Sequence, residues 1–503
     1  MRNPTNYPNR IMVRTHSMKH FLLTGLAASL LLASAACNSD RLVISNDQQP
    51  TQPSALSNPA AVLPLLAAGV TSADRSQLAG FIIGVGELGR EAYNYFPTDG
   101  RSTTGWLTSD VNNGTSFGGG ALWTLYYVAR RDALQMRSVV SGAQSGVFTD
   151  AQKNAALGFA DTFDALDMLY VIDTRNQVGA PVGFSSDPTV LQPFVSRDSV
   201  YGYIATTLSR AISELGQGGS TFPFTLHSGF NGFNTPSGFS QFSAAILART
   251  LAYRASLGVD GCTVRSAACY QQVLAALSKS FINSGGPLGT GVYQIYSQAA
   301  GDATNGISDP VHYILAHAHV DQGVQTKPDG TPDNRFLTKV MAVAPTGPSN
   351  PTIGIKTSWQ YDIYPTLTSP IPIIRNEELI LLRAEAEYFT GDQVGALADI
   401  NLIRTASGGL AARGPFTSDD DFITELLYNR RESLAFEGHR WIDVRRFGLL
   451  NTLPLDSSDP TAVPGATPHV IIDHLPVPQA ECLIRVHAGA SLAVPAAGEC
   501  SSA

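Results

Sequence analysis

Apolar residues recur along most of this chain at the three- and four-residue spacing of amphipathic helices. The spacing begins beyond about Leu63 and returns in blocks that are each long enough for a helix. The blocks predict helices over Arg75–Tyr95, Ala121–Ser141, Asp150–Ile172, Ser199–Leu215, Phe239–Leu257, Cys269–Ser284, Asn376–Phe389, Gln393–Ala406 and Asp419–Glu437.

Long segments rich in Gly, Ser, Asn and Pro separate these blocks. The longest are residues 96–120, 217–237, 285–311 and 322–370. Segments of this length are uncommon in a simple helical bundle, and they usually carry function or small strands. We therefore predict a mostly α fold, in which a scaffold of helical pairs bears long elaborated loops and a few short strands.

The best marked helical pair lies between residues 376 and 406. Glu377 and Glu378 stand in its first turn, where the helix dipole favours acids. Gly391 ends the first helix and Asp392 caps the second. The small residues at these spacings are similar to those of a tetratricopeptide unit, and the Ala-rich residues 239–284 predict a second pair.

Residues 1–36 have the pattern of an export signal. A basic stretch that ends at Lys19 precedes Phe21–Ala36, a 16-residue apolar run. This run is shorter than the roughly 20 residues that a membrane-spanning helix needs. It therefore predicts a signal peptide over 1–36, and either Met12 or Met18 is an alternative start.

Cys37 directly follows three small residues, as in a bacterial lipobox, although Ser34 stands where Leu is usual. We predict that Cys37 is acylated and holds the protein at a membrane surface. Residues 37–60 then comprise the lipidated cysteine and a flexible tether rich in Pro, Ser, Gln and Asn. The alternative is a plain secreted protein that is cut near Ala36.

Four cysteines remain when Cys37 is set aside. An even number in an exported protein suggests disulfides, with three possible connectivities. Short loops close most easily, which favours Cys262–Cys269 and Cys482–Cys500. A zinc site is the weaker alternative, because neither pair has CxxC spacing or a partnered His.

Composition excludes two classes of protein. Apolar residues make up 44% of the chain and charged residues 15%, so a large core can form and global disorder is excluded. Removing the four basic residues of 1–36 from a total of 33 leaves 29 Lys and Arg against 41 Asp and Glu, a net charge of −12. A surface this acidic repels phosphate backbones, so we predict no nucleic-acid partner.

A set of charged and small residues occurs in fixed order between residues 374 and 448. Its members are Arg375-Asn376-Glu377-Glu378, Arg383-Ala384-Glu385-Ala386, Asn401, Arg404, Arg430-Arg431-Glu432, Glu437-Gly438-His439-Arg440-Trp441, Asp443, Arg445 and Gly448. This order resembles the C-terminal signature of the SusD/RagB family. Asp333-Asn334-Arg335 and the segment 474–478 with Glu481 resemble weaker motifs of the same family.

Three departures from the family pattern accompany the resemblance. Asn334 stands where Pro is usual, Asn429 where Glu is usual, and the closing Asn-Pro after Glu481 is missing. The signature residues can interlock as Arg–carboxylate pairs, which fix helix packing. The signature therefore identifies the family without marking its ligand site.

The resemblance implies a nutrient-binding lipoprotein of the bacterial outer membrane that faces the cell exterior. Such a protein captures a glycan, or a peptide in some branches, and delivers it to a SusC-like TonB-dependent transporter. It is not an enzyme and needs no cofactor. We expect residues 61–503 to form one SusD-like domain, with an N-terminal helical part (61–230), a scaffold and its loops (238–448) and a C-terminal tail (449–503).

Sugar recognition requires aromatic faces and planar amides. Loops 96–120, 285–311 and 357–364 offer both, and we expect the ligand to be held there by stacking and hydrogen bonds. The candidates are Trp106, Asn112, Asn113, Tyr293, Tyr296, Trp359, Tyr361 and Tyr364. Each of them is also consistent with an aromatic or amide packed onto the scaffold, and Trp123 and Trp441 are expected in the core.

Two other functions compete with this interpretation. A metal-dependent hydrolase could use His317, His319 and Asp321, but no convincing further His or Asp set follows, and we predict no metal site. A glycoside hydrolase could use Glu377 and Glu378, although helix-start acids have an ordinary dipole explanation.

A helical-repeat scaffold that binds other proteins is the third possibility. It predicts regular repeats and short loops, which this sequence lacks.

Overall fold

Six helices in the first half of the described chain follow one another in a row, and each packs against the next. The computed structural model describes residues 57–95, 106–107, 114, 120–185, 187, 190–308, 314–344, 357–456, 469–487 and 500. The predicted signal peptide, Cys37, Asn112 and Asn113 lie outside these residues. The six helices are α1 (Pro59–Leu88), α2 (Thr124–Gly142), α3 (Asp150–Arg175), α4 (Arg197–Leu215), α5 (Pro236–Leu257) and α6 (Ala267–Leu277).

Capping residues explain where several of these helices begin and end. The Thr149 side chain accepts a hydrogen bond from the backbone N–H of Gln152, whose own side chain accepts one from the backbone N–H of Thr149, so a complete capping box opens α3. Thr235 caps α5, and its first residue is a proline. Gly258 ends α5 in the left-handed conformation, with φ 67°.

The position of α1 differs from the prediction of a helix over Arg75–Tyr95. The helix begins at Pro59, within the predicted tether, and ends at Leu88. Prolines at its start suggested a linker, but a proline at the first helical position loses no hydrogen bond. Arg90 has a left-handed φ of 58° and turns the chain out of the helix.

The second half builds on a central helix, α8, which packs against α5, α6, α9 and α10. Its helices are α7 (Asn334–Lys339), α8 (Asn376–Thr390), α9 (Gln393–Ala406), α10 (Asp419–Ser433), α11 (Arg440–Arg446) and α12 (Gln479–His487). The pair α8–α9 lies where the sequence predicted it. Helices α6 and α10 end earlier than predicted, and α7, α11 and α12 were not predicted. None of the helices in the described residues is long and apolar enough to cross a membrane.

Short antiparallel ribbons of two strands each join distant parts of the chain. They pair β1 with β5, β2 with β3, β4 with β8, and β6 with β7. The strands are β1 (Ala92–Asn94), β2 (Ala180–Pro181), β3 (Phe194–Val195), β4 (Gly291–Gln294), β5 (Ile314–Ala316), β6 (Val340–Ala342), β7 (Trp359–Tyr361) and β8 (Ile371–Arg375). Three of these strands, β4, β6 and β7, lie within the long segments between helices, as expected of an elaborated helical scaffold.

The core consists of one large apolar cluster and a smaller one. Phenylalanines dominate the contact of α3 with α5, where the rings of Phe159 and Phe239 lie 5.2 Å apart. The smaller cluster joins α8, α9 and α10, and in it Tyr388 stacks on Phe422 with 3.9 Å between ring centroids. The helical pair α8–α9 therefore has an apolar core of its own.

Buried arginines of the signature bind carboxylates on neighbouring helices. Arg446 of α11 pairs with Glu385 of α8 at 2.5 Å and with Asp443 at 2.9 Å. Arg430 of α10 pairs with the other oxygen of Asp443 at 2.7 Å. These pairs fix α8, α10 and α11 relative to one another, which is the structural role expected for the signature.

Asn429, a departure from the family pattern, takes part in the same kind of contact. Its carbonyl oxygen accepts a hydrogen bond from Arg335 at 3.0 Å, and its amide donates to Glu425 at 2.6 Å. Asp333 holds the Arg335 guanidinium from the other side at 2.6 Å. The asparagine therefore connects α7 to α10 without adding a charge.

Two disulfides join cysteines that are close in sequence. Cys262 is bonded to Cys269 before and at the start of α6, and Cys482 of α12 is bonded to Cys500. These are the pairs that the short loop lengths favoured. The described residues from Asn58 onward belong to one compact unit.

Candidate functional site

Segments from two of the predicted ligand loops meet at a cavity of about 500 Å³. The ribbon β6–β7, in which Val340 pairs with Tyr361, supplies one wall. Residues 364–367 and 307–308 supply the rest together with Ile314, at the start of β5. We refer to this space as the tyrosine cavity, because Tyr361 and Tyr364 both line it.

Both tyrosines are held by the backbone and ring of Phe436. The ring of Tyr361 stacks on the ring of Phe436, with 5.1 Å between centroids and 10° between planes. The Tyr364 hydroxyl donates a hydrogen bond to the Phe436 carbonyl at 3.2 Å. Phe436 is itself fixed, because its N–H donates to the carboxylate of Glu91 at 2.9 Å. The two rings are therefore positioned by the scaffold beneath the cavity.

The lining of the tyrosine cavity combines apolar and hydrogen-bonding groups. Burial raises the pKa of Tyr361 and of Tyr364 well above the usual value, so both phenols stay neutral. The Tyr364 proton is donated to Phe436, which leaves its oxygen as an acceptor. Ser308, Asp362 and Thr366 add hydroxyl and carboxylate groups at the rim. The volume falls in the range of small-molecule sites, and polar groups contribute at least as much of the lining as apolar ones.

Three other residues that were predicted to bind the ligand do not line this cavity. Trp359 packs edge-on against Phe336, with ring centroids 5.5 Å apart. The Tyr293 hydroxyl donates to the Gly289 carbonyl at 2.5 Å, and the Tyr296 hydroxyl donates to the Arg75 carbonyl at 3.2 Å. These contacts attach each side chain to its own part of the scaffold.

Trp106 lines a separate and mainly apolar cavity of about 560 Å³. Its ring lies over Gly84 of α1, where any Cβ atom would collide with it. Trp123, predicted for the core, is 5% exposed and borders the same space together with Leu125 and Leu483.

A third cavity of about 440 Å³ shares Trp123 and contains Tyr127 and Phe184. Neither residue was predicted from the sequence, because no motif or spacing marks Tyr127 on its helix or Phe184 in its loop.

The paired glutamates Glu377 and Glu378 are bound to arginines. Arg375 pairs with Glu377, and Arg249 pairs with Glu378 at 2.6 Å. Burial opposes ionisation of both acids, but the charges of these arginines outweigh it and lower each pKa to about 2. Neither glutamate therefore holds a proton at neutral pH, as the general acid of a glycoside hydrolase must.

The histidines of the HxH segment have a different acidic partner from the one considered in the sequence. His317, His319 and Asp456 offer ligand atoms within 4.8 Å of one another. Asp321 is exposed and is not part of this group. Asp456 lies 139 residues from His317, so no local spacing could have indicated it.

Comparison with known proteins identifies the segment that contains the signature. Residues 313–479 match the model of the SusD family. No curated protein matches the chain in sequence.

Solved structures share the fold over most of its length. A SusD superfamily protein from Bacteroides vulgatus has a TM-score of 0.59 at 15% identity and covers 84% of this chain and 97% of its own. A SusD-like carbohydrate-binding protein from Bacteroides fragilis has a TM-score of 0.58 at 15% identity and covers 86% and 99%. A structure described as containing a xylogluco-oligosaccharide has a TM-score of 0.61 at 14% identity and covers 84% and 97%.

The family match and the shared fold agree with each other. The matched residues contain β5 to β8, the helices α7 to α11 and the buried arginine pairs. The mostly helical fold with short ribbons is that of SusD superfamily structures. Residues 313–479 therefore match the SusD family, and the described chain has the fold of SusD superfamily structures.

Proposed function

We propose that this protein is a lipid-anchored outer-membrane receptor that binds a glycan in the tyrosine cavity and passes it to a TonB-dependent transporter. One observation carries the ligand proposal: residues 307–308 and 360–364, from two loops expected to bind the ligand, border one cavity with two neutral tyrosines. A similar fold is described with a xylogluco-oligosaccharide and another as carbohydrate-binding, which supports a glycan. No catalytic step is part of the proposal.

Affinity electrophoresis through gels that contain single polysaccharides tests the ligand. We expect a subset of the polysaccharides, with xyloglucan as one arm, to retard the protein without releasing reducing sugars. Release of sugar from any retarding polysaccharide would instead indicate a hydrolase. Failure of every polysaccharide in a broad panel to retard the protein would contradict the glycan proposal.

Substitution of Tyr361 tests the position of the site. Tyr361→Ala removes a ring from the cavity wall, so we expect the dissociation constant for a retarding polysaccharide to rise about tenfold. Asp362→Asn, at the exposed rim, should weaken binding with less effect on folding. Phe184→Ala is the matched control, because Phe184 is 41% exposed and lines a different cavity. Equal loss in Tyr361→Ala and Phe184→Ala would refute the tyrosine cavity as the site.

Acylation of Cys37 is the part of the proposal that determines location. Diacylation gives stable membrane attachment, because two acyl chains each contribute buried CH₂ groups. We expect Cys37→Ala to move the protein from the outer-membrane pellet to the soluble fraction after cell lysis. Continued sedimentation of this variant with membranes would contradict the anchor.

The transporter partner is testable without knowledge of the ligand. Purification of the tagged protein from detergent-solubilised outer membranes should bring down a TonB-dependent transporter in near-stoichiometric amount, identified by mass spectrometry. Weak capture of the ligand suffices in such a complex, since confinement beside the transporter raises the effective concentration. Recovery of the protein free of any transporter, under conditions that preserve other membrane complexes, would refute the partnership.

A further inference from the structure

The end of strand β5 carries two imidazoles next to a carboxylate from a distant part of the chain. His317 directly follows β5, His319 lies two residues further on, and their rings are 5.2 Å apart. Asp456 comes from the segment that follows α11, and its Oδ2 lies 2.7 Å from Nε2 of His317. Ligand atoms of all three residues lie within 4.8 Å of one another.

Hydrogen bonds determine which ring nitrogen of His317 faces the carboxylate. Its Nδ1 accepts a hydrogen bond from the backbone N–H of His319 at 3.2 Å. Nε2 is therefore the protonated nitrogen, and it donates to Asp456. Tyr93 of β1 donates to the same carboxylate oxygen at 2.5 Å. A hydroxyl that supports a carboxylate in this way is the usual outer partner of a metal ligand.

Two neighbouring imidazoles have buried nitrogen atoms with no hydrogen-bond partner among the described residues. One is Nδ1 of His319. The others are both ring nitrogens of His469, a side chain that is only 3% exposed. The His469 ring lies 6.0 Å from the ring of Tyr93. Buried polar atoms without partners are rare in folded proteins, and an ion is one of the ordinary explanations.

We propose that His317, His319 and Asp456 bind a divalent transition-metal ion of the zinc class. Imidazole nitrogens with one carboxylate oxygen suit zinc and its neighbours, whereas calcium and magnesium prefer all-oxygen sites. Binding of the ion through Nε2 of His317 moves the proton of this neutral imidazole to Nδ1, so the 3.2 Å hydrogen bond from the His319 N–H to Nδ1 must be given up. Tetrahedral coordination at about 2.0–2.1 Å separates two ligand atoms by about 3.3 Å. Nε2 of His317 and Oδ2 of Asp456, which are now 2.7 Å apart, must therefore move slightly away from each other.

The surroundings leave room for further ligands of the ion. Both imidazoles border a cavity of about 70 Å³, which is large enough for water. The Arg90 guanidinium, which also borders this cavity, is directed to the carbonyl oxygens of Pro454 and Val470 at 3.2 and 2.8 Å. Its charge is thereby partly compensated by carbonyl dipoles. Four more cationic side chains border the same cavity, and two of them, Arg335 and Arg431, are paired with acids; the others are Lys339 and Arg440. The ion would join the end of β5 to the chain that follows α11, beside Tyr361.

Cobalt(II) and zinc(II) are direct probes of this site. The purified full-length protein, freed of metal with a chelator and dialysed, should bind one equivalent of Co²⁺ with visible absorption bands of low-coordinate nitrogen and oxygen ligation. Zn²⁺ should abolish those bands, and Ca²⁺ at the same concentration should not. Absence of a stoichiometric Co²⁺ or Zn²⁺ complex would overturn the proposal.

Variants separate this site from metal binding elsewhere on the protein. We expect His319→Ala and Asp456→Asn each to weaken Zn²⁺ binding by roughly tenfold or more, and Tyr93→Phe to weaken it about tenfold through its effect on the carboxylate. His474→Ala is the matched control, because His474 is half-buried beside Asp473 and is not part of the group. His319→Gln provides a second test should His319→Ala not fold, as judged by circular dichroism. Wild-type affinity in the folded His319 variants, or an equal loss in His474→Ala, would refute the assignment.

Discussion

Arg446 is fully buried and binds two carboxylates, which makes its side chain a sensitive probe of the signature. Replacing it with methionine leaves Glu385 and Asp443 with less compensation in a low-dielectric interior. We predict that Arg446→Met lowers the free energy of unfolding by about 3–5 kcal/mol in urea denaturation. Arg383→Met is the control: Arg383 is 27% exposed and pairs with Asp399, so its loss should be at most about 1 kcal/mol. Arg383 belongs to the same signature, so equal effects of the two substitutions would contradict a special structural role for its fully buried arginine.

Asp74 of α1 makes stability depend on pH. Burial raises its pKa to about 7, and Asp167 of α3 is its acidic neighbour. The unfolded chain ionises this carboxyl near pH 4, whereas the folded protein keeps it protonated to about pH 7. The contribution of Asp74 to stability is therefore present at low pH and is lost as the pH rises from about 4 to 7.

The variant Asp74→Asn tests the direction of this pH dependence of stability. Asparagine can still accept the hydrogen bond from the Gln294 amide but cannot ionise. We predict that the free energy of unfolding falls less between pH 5 and pH 8 in the variant than in the wild type. The difference should exceed about 1 kcal/mol, because one pKa unit corresponds to about 1.4 kcal/mol. Urea denaturation at the two pH values measures it. An unchanged or larger loss would show that Asp74 ionises normally in the folded protein.

Contacts between side chains could be predicted from the sequence where one motif contains both partners. They could not be predicted where the fold brings distant residues together. The arginines and acids of the signature were expected to pair with each other, and pairs such as Arg430–Asp443 do so. The partnership of His317 with Asp456 depends on how segments far apart in sequence meet. The same holds for Tyr361 and its stacking partner Phe436. Spacing along the chain carries no information about such contacts.

Among the elements, α1 depends on a glycine for its fit to the rest of the protein. A Cβ at Gly84 would collide with the Trp106 ring, whereas a Cβ at Gly80 of the same helix meets nothing within 4 Å. We predict that Gly84→Ala lowers the free energy of unfolding by about 1–3 kcal/mol through overpacking. Gly80→Ala should raise it by up to about 1 kcal/mol, because alanine favours the helix. Urea denaturation compares the two variants, and a stabilising Gly84→Ala would contradict the packing of Trp106 on α1.

Helix boundaries were predictable where caps and apolar spacing agree. The pair α8–α9 has a glycine stop and an aspartate cap, and its bounds match the prediction almost residue for residue. Helix α1 was misplaced because residues up to 60, which include Pro59, were interpreted as a tether from their Pro, Ser, Gln and Asn content. The short helices α7 and α11 have few turns and little periodicity of their own, so tertiary contacts rather than pattern determine them.

For the whole molecule, the fold persists at low sequence identity. Solved SusD superfamily structures share it at 15% and 16% identity over 84% of this chain. Buried Arg–carboxylate pairs tie α8 to α5 and α11, which gives a physical reason why the signature residues matter for the fold. The loops that border the tyrosine cavity are less constrained, so ligand identity cannot be predicted from the scaffold.

The ribbon β1–β5 also sets an order for folding. It pairs Ala92 with Ala316, and Arg90 just before it binds the carbonyl of Val470. Helices α2 to α6 contact their neighbours in sequence, so we expect them to assemble while the chain is still emerging. The end of α1 must wait for partners more than 200 residues away, since long-range closure is slow. We therefore expect the walls around Tyr361 and His317 to form last, so a chain interrupted before Val470 would have its scaffold begun and these walls unfinished.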